Sequence, residues 1–233
     1  MTEKITRESA RPSPLQNKVN PEGNIEAISS RESTLMGNRG VLHNAKWQVT
    51  KTMVKNNFAW IYCVLDHGDA APREVMAPGR YTELFFLDEA SALAAGHRPC
   101  NVKTCLRKRH EEFKRIWYVA NERTYQGPSK YIGPIDERLH IERTGIKPNI
   151  TYQEAQKLPT GTFVAAGNYY YLILDKQFLC WSHNRYISKA EIPEDTNLRV
   201  ITPSSVVRCL QRGFTPQIHP SAELLLISRT VDR

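Results

Sequence analysis

The spacing of hydrophobic and polar positions changes along the chain and predicts strands in two regions. Residues 58–65, with the sequence FAWIYCVL, are rich in aromatic and β-branched side chains, as expected for a largely buried strand. Residues 80–87 form a second strand candidate. Beyond residue 158 three apolar segments are separated by short turn-forming sequences, which is typical of a β-meander. These segments are residues 162–165, 169–174 and 178–181.

Helical patterns lie between and after these strands. Residues 89–95 are mostly alanine and leucine, which favour helix. Asp88 precedes them as an N-cap, and Gly96 follows as a left-handed C-terminal residue. An apolar stripe predicts a second helix at 106–121, and shorter helices are expected at 135–143 and between Pro203 and Gly213. The fold class predicted is α+β: a small α/β module followed by a β-meander with flanking helices.

Changes in composition divide the chain into four predicted segments. Residues 1–35 are polar and contain several prolines and serines. Such a segment buries too little apolar surface to offset its ordering entropy, so we expect a disordered N-terminal tail. A structured module is expected at 36–125, a connector with a short helix at 126–157, and a β-rich C-terminal domain at 158–233.

The overall composition restricts the environment of the protein. Hydrophobic residues make up 40% of the 233 positions and charged residues 24%, as in ordinary globular proteins. No apolar run approaches the roughly 18 residues needed to cross a membrane, and no secretory signal is apparent. These features predict a cytoplasmic protein with no membrane association. Because five cysteines are an odd number in such a chain, metal ligation or burial is favoured over a disulfide framework.

Two cysteines follow the alanine-rich segment at a spacing that suits a metal ion. Cys100 comes directly after Pro99, which cannot continue a helix, and Cys105 follows after four residues. Zinc is bound by cysteine thiolates and histidine nitrogens in a tetrahedron, with about two to four residues between paired ligands. The pair therefore falls at the wide end of the usual spacing.

The segment around residues 81–105 resembles the zinc-binding domain of the Ada methylphosphotriester DNA-repair protein. That domain combines a strand, an alanine-rich helix, a glycine, an aromatic residue, Arg-Pro-Cys and a second cysteine. The matching residues here are Phe85, Phe86, Ala90, Leu93, Ala94, Ala95, Gly96, Arg98, Pro99 and Cys100. The resemblance implies an Ada-like zinc-binding domain within 36–125. The whole chain also resembles a group of bacterial proteins that join this motif to a β-rich C-terminal region, which implies no activity.

Three departures from the Ada pattern bear on the expected chemistry. His97 replaces the aromatic residue, the second cysteine is displaced by two positions, and the upstream cysteine pair is missing. Only Cys63 lies upstream of the motif. The resemblance therefore implies a zinc site made of Cys63, Cys100, Cys105 and one histidine, either His43 or His67. Cys63 is also the one upstream candidate for the methyl-accepting thiolate, although its apolar neighbours suit a core thiol equally well.

Basic residues are concentrated just after the motif. Residues 98–115 contain seven arginines and lysines but only two glutamates, and the whole chain has a net charge of +8. Such a cluster beside a helix N-terminus suits DNA backbone phosphates. The alternative is a solvated helix face with charge pairs four residues apart. The candidate nucleic-acid contacts are Arg98, Lys103, Arg107, Lys108, Arg109 and Arg115.

Signatures of turnover enzymes are missing from the sequence. There is no G-x-S-x-G, Walker A, Rossmann glycine or H-E-x-x-H motif. The parts of a zinc deaminase signature occur in the wrong order and with the wrong cysteine spacing. Three functions remain: a zinc-stabilised DNA-binding or DNA-associated protein without turnover chemistry, a protein-interaction or regulatory module acting through its C-terminal half, and a stoichiometric methyl acceptor using Cys63.

Overall fold

A computed structural model describes residues 11–66 and 74–227 of the chain, and its first sheet lies in the N-terminal half. This sheet has the strand order β2-β1-β5-β3-β4-β6. The β1/β5 and β4/β6 pairs are parallel, and the other neighbours are antiparallel. The strands are β1 (Gln16–Val19), β2 (Ile25–Ala27), β3 (Leu35–Asn38), β4 (Ile61–Val64), β5 (Leu84–Phe86) and β6 (Arg98–Pro99).

The second sheet is antiparallel and has the order β11-β10-β9-β8-β12-β7. Consecutive pairing of β8, β9 and β10 confirms the meander predicted from the sequence. In its register Leu172 lies opposite both Phe163 and Leu179. The strands are β7 (Asn149–Ile150), β8 (Phe163–Ala166), β9 (Tyr169–Leu174), β10 (Gln177–Trp181), β11 (Tyr186–Ala190) and β12 (Leu198–Val200).

Each of the four predicted helices is present, two further short helices were not predicted, and the α+β class is confirmed. They are α1 (Glu89–Ala94), α2 (Arg107–Ala120), α3 (Gly133–Thr144), α4 (Tyr152–Ala155), α5 (Ser204–Gln211) and α6 (Ser221–Ile227). At α1 the Asp88 side chain accepts the Ser91 N–H, and Gly96 has φ of +76°, as the capping residues predicted. None of these helices is long and apolar enough to cross a membrane.

Helix α1 packs between the two sheets, and all six of its residues are buried. Leu93 joins the core beneath the first sheet, together with Phe86 of β5 and Trp117 of α2. Ala90 and Ala94 join the core of the second sheet. Small alanine side chains let neighbouring elements approach the helix closely on both sides, which explains its composition.

Helix α5 and the residues just after it complete the core of the N-terminal half. Phe113 of α2 makes an edge-to-face contact with Phe214 at 5.2 Å, and Val206 and Leu210 belong to the same hydrophobic cluster. The predicted C-terminal segment, 158–233, therefore supplies apolar surface to the predicted module at 36–125. Its last six residues lie outside the described part of the chain.

The prediction of a disordered tail over residues 1–35 is wrong for residues 16–27, which form β1 and β2. Polar side chains here are buried but hydrogen-bonded. Asn20 accepts the N–H groups of Glu22 and Asn24, and the Glu22 carboxylate accepts the Tyr170 hydroxyl from β9. Hydrogen bonds of this kind order a segment that its apolar content alone would leave unfolded. Residues 1–10 lie outside the described part.

Candidate metal centre

Three cysteines from separate segments meet at the edge of the first sheet. Cys63 belongs to β4, Cys100 follows β6, and Cys105 lies two residues before α2. Strands β4 and β6 are parallel neighbours in which Tyr62 pairs with Pro99. The Cys100 N–H extends this ladder by donating to the Tyr62 carbonyl oxygen at 2.9 Å. The backbone pairing therefore brings Cys63 and Cys100 side by side.

The geometry of the three sulfur atoms suits one tetrahedral metal ion. All three Sγ atoms lie within 4.8 Å of one another, and none of the three residues is in a disulfide. With Zn–S bonds of about 2.3 Å, tetrahedral coordination separates two sulfurs by about 3.8 Å. Small side-chain adjustments would meet that distance. Cys63, Cys100 and Cys105 are thus close enough to hold a metal ion.

Hydrogen bonds prepare one of these sulfurs as a thiolate. The Cys63 thiol donates to Cys100, and this bond, with backbone N–H groups of Val102 and Leu106, lowers the pKa of Cys100 to about 5. The same hydrogen bond and burial raise the pKa of Cys63. Burial raises the pKa of Cys105 to about 11, although its sulfur accepts the Val64 N–H at 3.4 Å. Metal binding therefore has to release protons from the other two thiols.

No histidine of residues 11–66 and 74–227 belongs to this cluster. The Nδ1 atom of His43 lies 2.7 Å from Thr82 Oγ1, and its Nε2 lies 3.4 Å from the Ala77 carbonyl oxygen. His43 is thus engaged at another position of the fold. His67 lies outside the described residues.

His97, which replaces the aromatic residue of the Ada pattern, lies in the core. Its Nε2 accepts a hydrogen bond from Arg39 Nε at 3.1 Å, and its ring packs against Trp60 and Phe86. Burial holds the pKa of His97 well below its usual range. The ring is therefore a neutral core acceptor for a buried arginine.

A stack of two arginines on one tryptophan was missed by the sequence analysis. The guanidinium carbons of Arg39 and Arg143 lie 3.8 and 3.9 Å from the Trp60 ring centroid. Arg143 also donates to the carbonyl oxygens of Gly96 and Phe58. The stack thus fixes the turn after α1 and the residues leading into β4. No local sequence signal connects residues so far apart in the chain.

Two of the six predicted nucleic-acid contacts are instead internal ion pairs. Arg98 is 5% exposed and makes two hydrogen bonds, of 2.6 and 2.8 Å, to the Asp136 carboxylate. Arg109 pairs with Glu89 and Glu112 and donates to the Thr215 carbonyl oxygen. Because these charges are neutralised within the protein, neither guanidinium is free to bind phosphate.

The remaining candidates lie on the surface near the cysteine cluster and along α2. Lys103, Arg107, Lys108 and Arg115 are exposed, and none has an ion pair with another described residue. Lys103 lies between Cys100 and Cys105, while Arg107 and Lys108 form the first turn of α2. The geometry therefore places three cations directly beside the candidate metal centre.

Comparisons with protein-family models, curated proteins and solved structures found no significant match to this chain. The resemblance to the Ada zinc-binding domain stays a prediction.

Proposed function

We propose that this chain is a zinc-stabilised DNA-binding protein without turnover chemistry. The observation that carries the proposal is the meeting of three cysteine sulfurs next to the start of α2, where exposed cations begin. The metal acts structurally: it ties β4, the turn after β6 and the start of α2 together. The cations then contact DNA backbone phosphates.

Zinc is the ion that this donor set favours. Thiolates are soft ligands, and clusters of cysteines with a nitrogen or a fourth sulfur are typical of structural zinc sites. Cys63 and Cys100 are buried, so their thiolates need a metal ion to compensate for lost hydration. We assign the fourth position to a histidine. Because His43 is held by Thr82 and Ala77 outside the cluster, His67 is the remaining candidate, and zinc titration of His67→Ala tests this assignment, with His43→Ala as the control.

Phosphate binding follows from the charges that remain free. Lys103, Arg107 and Lys108 carry no ion pair within the described part of the chain, so no internal contact has to break before phosphate binds. A positive helix N-terminus adds to this attraction. The proposal is limited to backbone contacts, which carry no sequence preference.

The test is the salt dependence of binding to a fluorescein-labelled duplex of random sequence. We expect Arg107→Met/Lys108→Met to weaken binding and to reduce the slope of log K against log salt by about two, since each lysine or arginine on a phosphate contributes about one. Lys46→Met/Lys55→Met is the matched control, because it removes the same charge from exposed positions elsewhere. Chelated protein should bind less tightly than the zinc-loaded form.

Equal weakening in the two double variants would contradict the proposed interface, as would zinc-loaded protein that does not bind DNA at low salt. Zinc loading without DNA binding would leave the metal site intact and reject only the DNA part of the proposal.

A protein-interaction module is the second candidate, and an apolar cleft favours it. The cleft has a volume of about 520 Å³ and lies between α3, the segment 145–148 that follows it, and α5. At its edge Ile141 is 61% exposed and Ile146 fully exposed. Such a surface suits an apolar segment of another protein. Ile141→Lys/Ile146→Lys should abolish capture of such a partner and leave DNA binding unchanged.

Methyl transfer from DNA has less geometric support. Cys63, the proposed acceptor, is 7% exposed, whereas Cys105 is the more accessible of the three sulfurs. A thiolate that attacks a DNA phosphotriester has to reach it at the surface. The position of Cys63 therefore favours a structural role.

A further inference from the structure

Lys18 in β1 is a buried ammonium group without a carboxylate partner. The residue is 7% exposed, and burial lowers its pKa. Its Nζ donates to Ser33 Oγ at 2.8 Å and lies 4.9 Å from the centroid of the Phe85 ring. No described acidic side chain comes within ion-pair distance of it. Because an ammonium has three donors, this arrangement leaves donors for another acceptor.

The buried lysine lies at the wall of a cavity of about 620 Å³. The same space is lined by the apolar residues Ile28, Leu65, Val75 and Phe85 and by four serines, Ser13, Ser29, Ser30 and Ser33. Two further cations, Arg11 and Arg31, line the same space, and no aspartate or glutamate among residues 11–66 and 74–227 does. This volume is within the usual range for small-molecule sites.

The chemistry of the walls defines a class of ligand. An unpaired buried ammonium is stabilised by an anion, and its single charge matches a carboxylate. Arg11 already contacts Glu74 at 3.6 Å and the Val75 carbonyl oxygen at 2.7 Å, so Arg31 is the second cation available to a ligand. The apolar wall needs an apolar body beside the charge.

We propose that this cavity binds a small monocarboxylate with an apolar body, whose carboxylate pairs with Lys18 and whose body packs against Phe85. The site is separate from the cysteine cluster and does not depend on metal or DNA. Arg31, which is exposed, attracts the carboxylate at the entrance.

Calorimetric titration of the full chain with benzoate tests this, with uncharged benzamide as the isosteric comparison. We expect benzoate to bind with Kd of about 1 mM or below and benzamide at least about tenfold more weakly, because a hydrogen bond between charged groups is lost. Lys18→Met should weaken benzoate binding at least about tenfold, since methionine keeps the apolar stem and removes the charge. Lys46→Met, an exposed control, should bind as the natural chain does.

Two measurements keep the test decisive if Lys18→Met does not fold. Arg31→Gln changes an exposed side chain and should weaken benzoate binding severalfold. The Lys18 Cε resonance of the natural chain should shift when benzoate is added. No benzoate binding up to about 10 mM, well beyond the expected range, would overturn the proposal, as would equal affinity for benzoate and benzamide or an unmoved Lys18 resonance.

Discussion

The main-chain N–H of Cys100 donates a hydrogen bond to the Tyr62 carbonyl oxygen at 2.9 Å, and this bond places Cys100 beside Cys63. Two distant segments of the chain thereby present their thiols to the same point. Cys105 joins them from the turn that leads into α2. The ligand geometry thus depends on sheet pairing and on the position of one helix, so metal binding and folding should be linked.

Replacing one sulfur of the cluster should therefore remove both metal and stability. We expect Cys100→Ser to reduce bound zinc from about one per chain to below about 0.2 and to lower the unfolding free energy by about 4 kcal/mol when free zinc is about 1,000 times Kd. Elemental analysis and urea unfolding measure the two effects. Cys180→Ser is the control, because Cys180 lies in β10 outside the cluster. Equal zinc content in both variants would contradict the site.

The Arg98–Asp136 pair should behave as a buried ion pair and not as part of a DNA interface. Arg98→Met leaves the Asp136 carboxylate unpaired, so we expect a loss of about 3–5 kcal/mol in urea unfolding. Arg98→Met/Asp136→Leu should recover part of that loss, because no uncompensated charge remains. Arg115→Met, on the exposed face of α2, should change stability by less than about 0.5 kcal/mol. If the unfolding free energy lost in the double variant equals the sum of the losses in the two single variants, the two residues are not coupled.

The unfolding free energy should decrease on acidification because the buried His97 ring stays neutral in the folded protein. In the unfolded chain this ring takes up a proton near pH 6.5, whereas burial and the hydrogen bond from Arg39 keep it neutral in the folded protein. The unfolded state therefore binds more protons below pH 6.5. The unfolding free energy should then decrease by up to about 1.4 kcal/mol per pH unit, until the folded ring is also protonated.

Urea unfolding between pH 7 and 5 measures this contribution in the natural chain and in His97→Gln. The variant is expected to be less stable at pH 7 but to show a shallower decrease towards pH 5. Parallel curves for the two proteins would mean that other groups cause the acid sensitivity, for example His110, whose pKa is also lowered by burial.

Glu89 should contribute more to stability than the neighbouring Glu112, although both pair with Arg109. The Glu89 carboxylate also accepts the Tyr62 hydroxyl at 2.5 Å and the Gln217 N–H at 2.7 Å, and its side chain is 3% exposed. Glu89→Gln should cost about 3 kcal/mol, as expected for a broken buried pair. Glu112→Gln, with a half-exposed side chain, should cost less than about 1 kcal/mol. Thermal unfolding of the two variants compares them, and equal losses would contradict this difference.

Local patterns were sufficient to predict α1, α2 and the meander. In each case the signal is short in range: Asp88 and Gly96 cap their own helix, and the turns between β8, β9 and β10 lie within a few residues of their strands. The α+β class follows from these elements alone.

Long-range polar contacts explain what the sequence did not predict. Residues 16–27 appeared too polar to fold, but Asn20 and Glu22 find partners within the turn and in the second sheet. All the basic side chains of segment 98–115 appeared available to bind phosphate. In the structure Asp136 and Glu89, which lie on other helices, neutralise two of its arginines. Such pairings depend on tertiary structure and leave no periodic signal in the chain.

Zinc K-edge X-ray absorption of the purified, zinc-loaded chain tests the three-cysteine metal centre directly. We expect three sulfur neighbours of the zinc ion at about 2.3 Å and one nitrogen neighbour at about 2.0–2.1 Å. In Cys100→Ser this first shell of three sulfurs and one nitrogen should be absent. A first shell made only of oxygen and nitrogen, or a spectrum unchanged by Cys100→Ser, would contradict a metal centre at Cys63, Cys100 and Cys105.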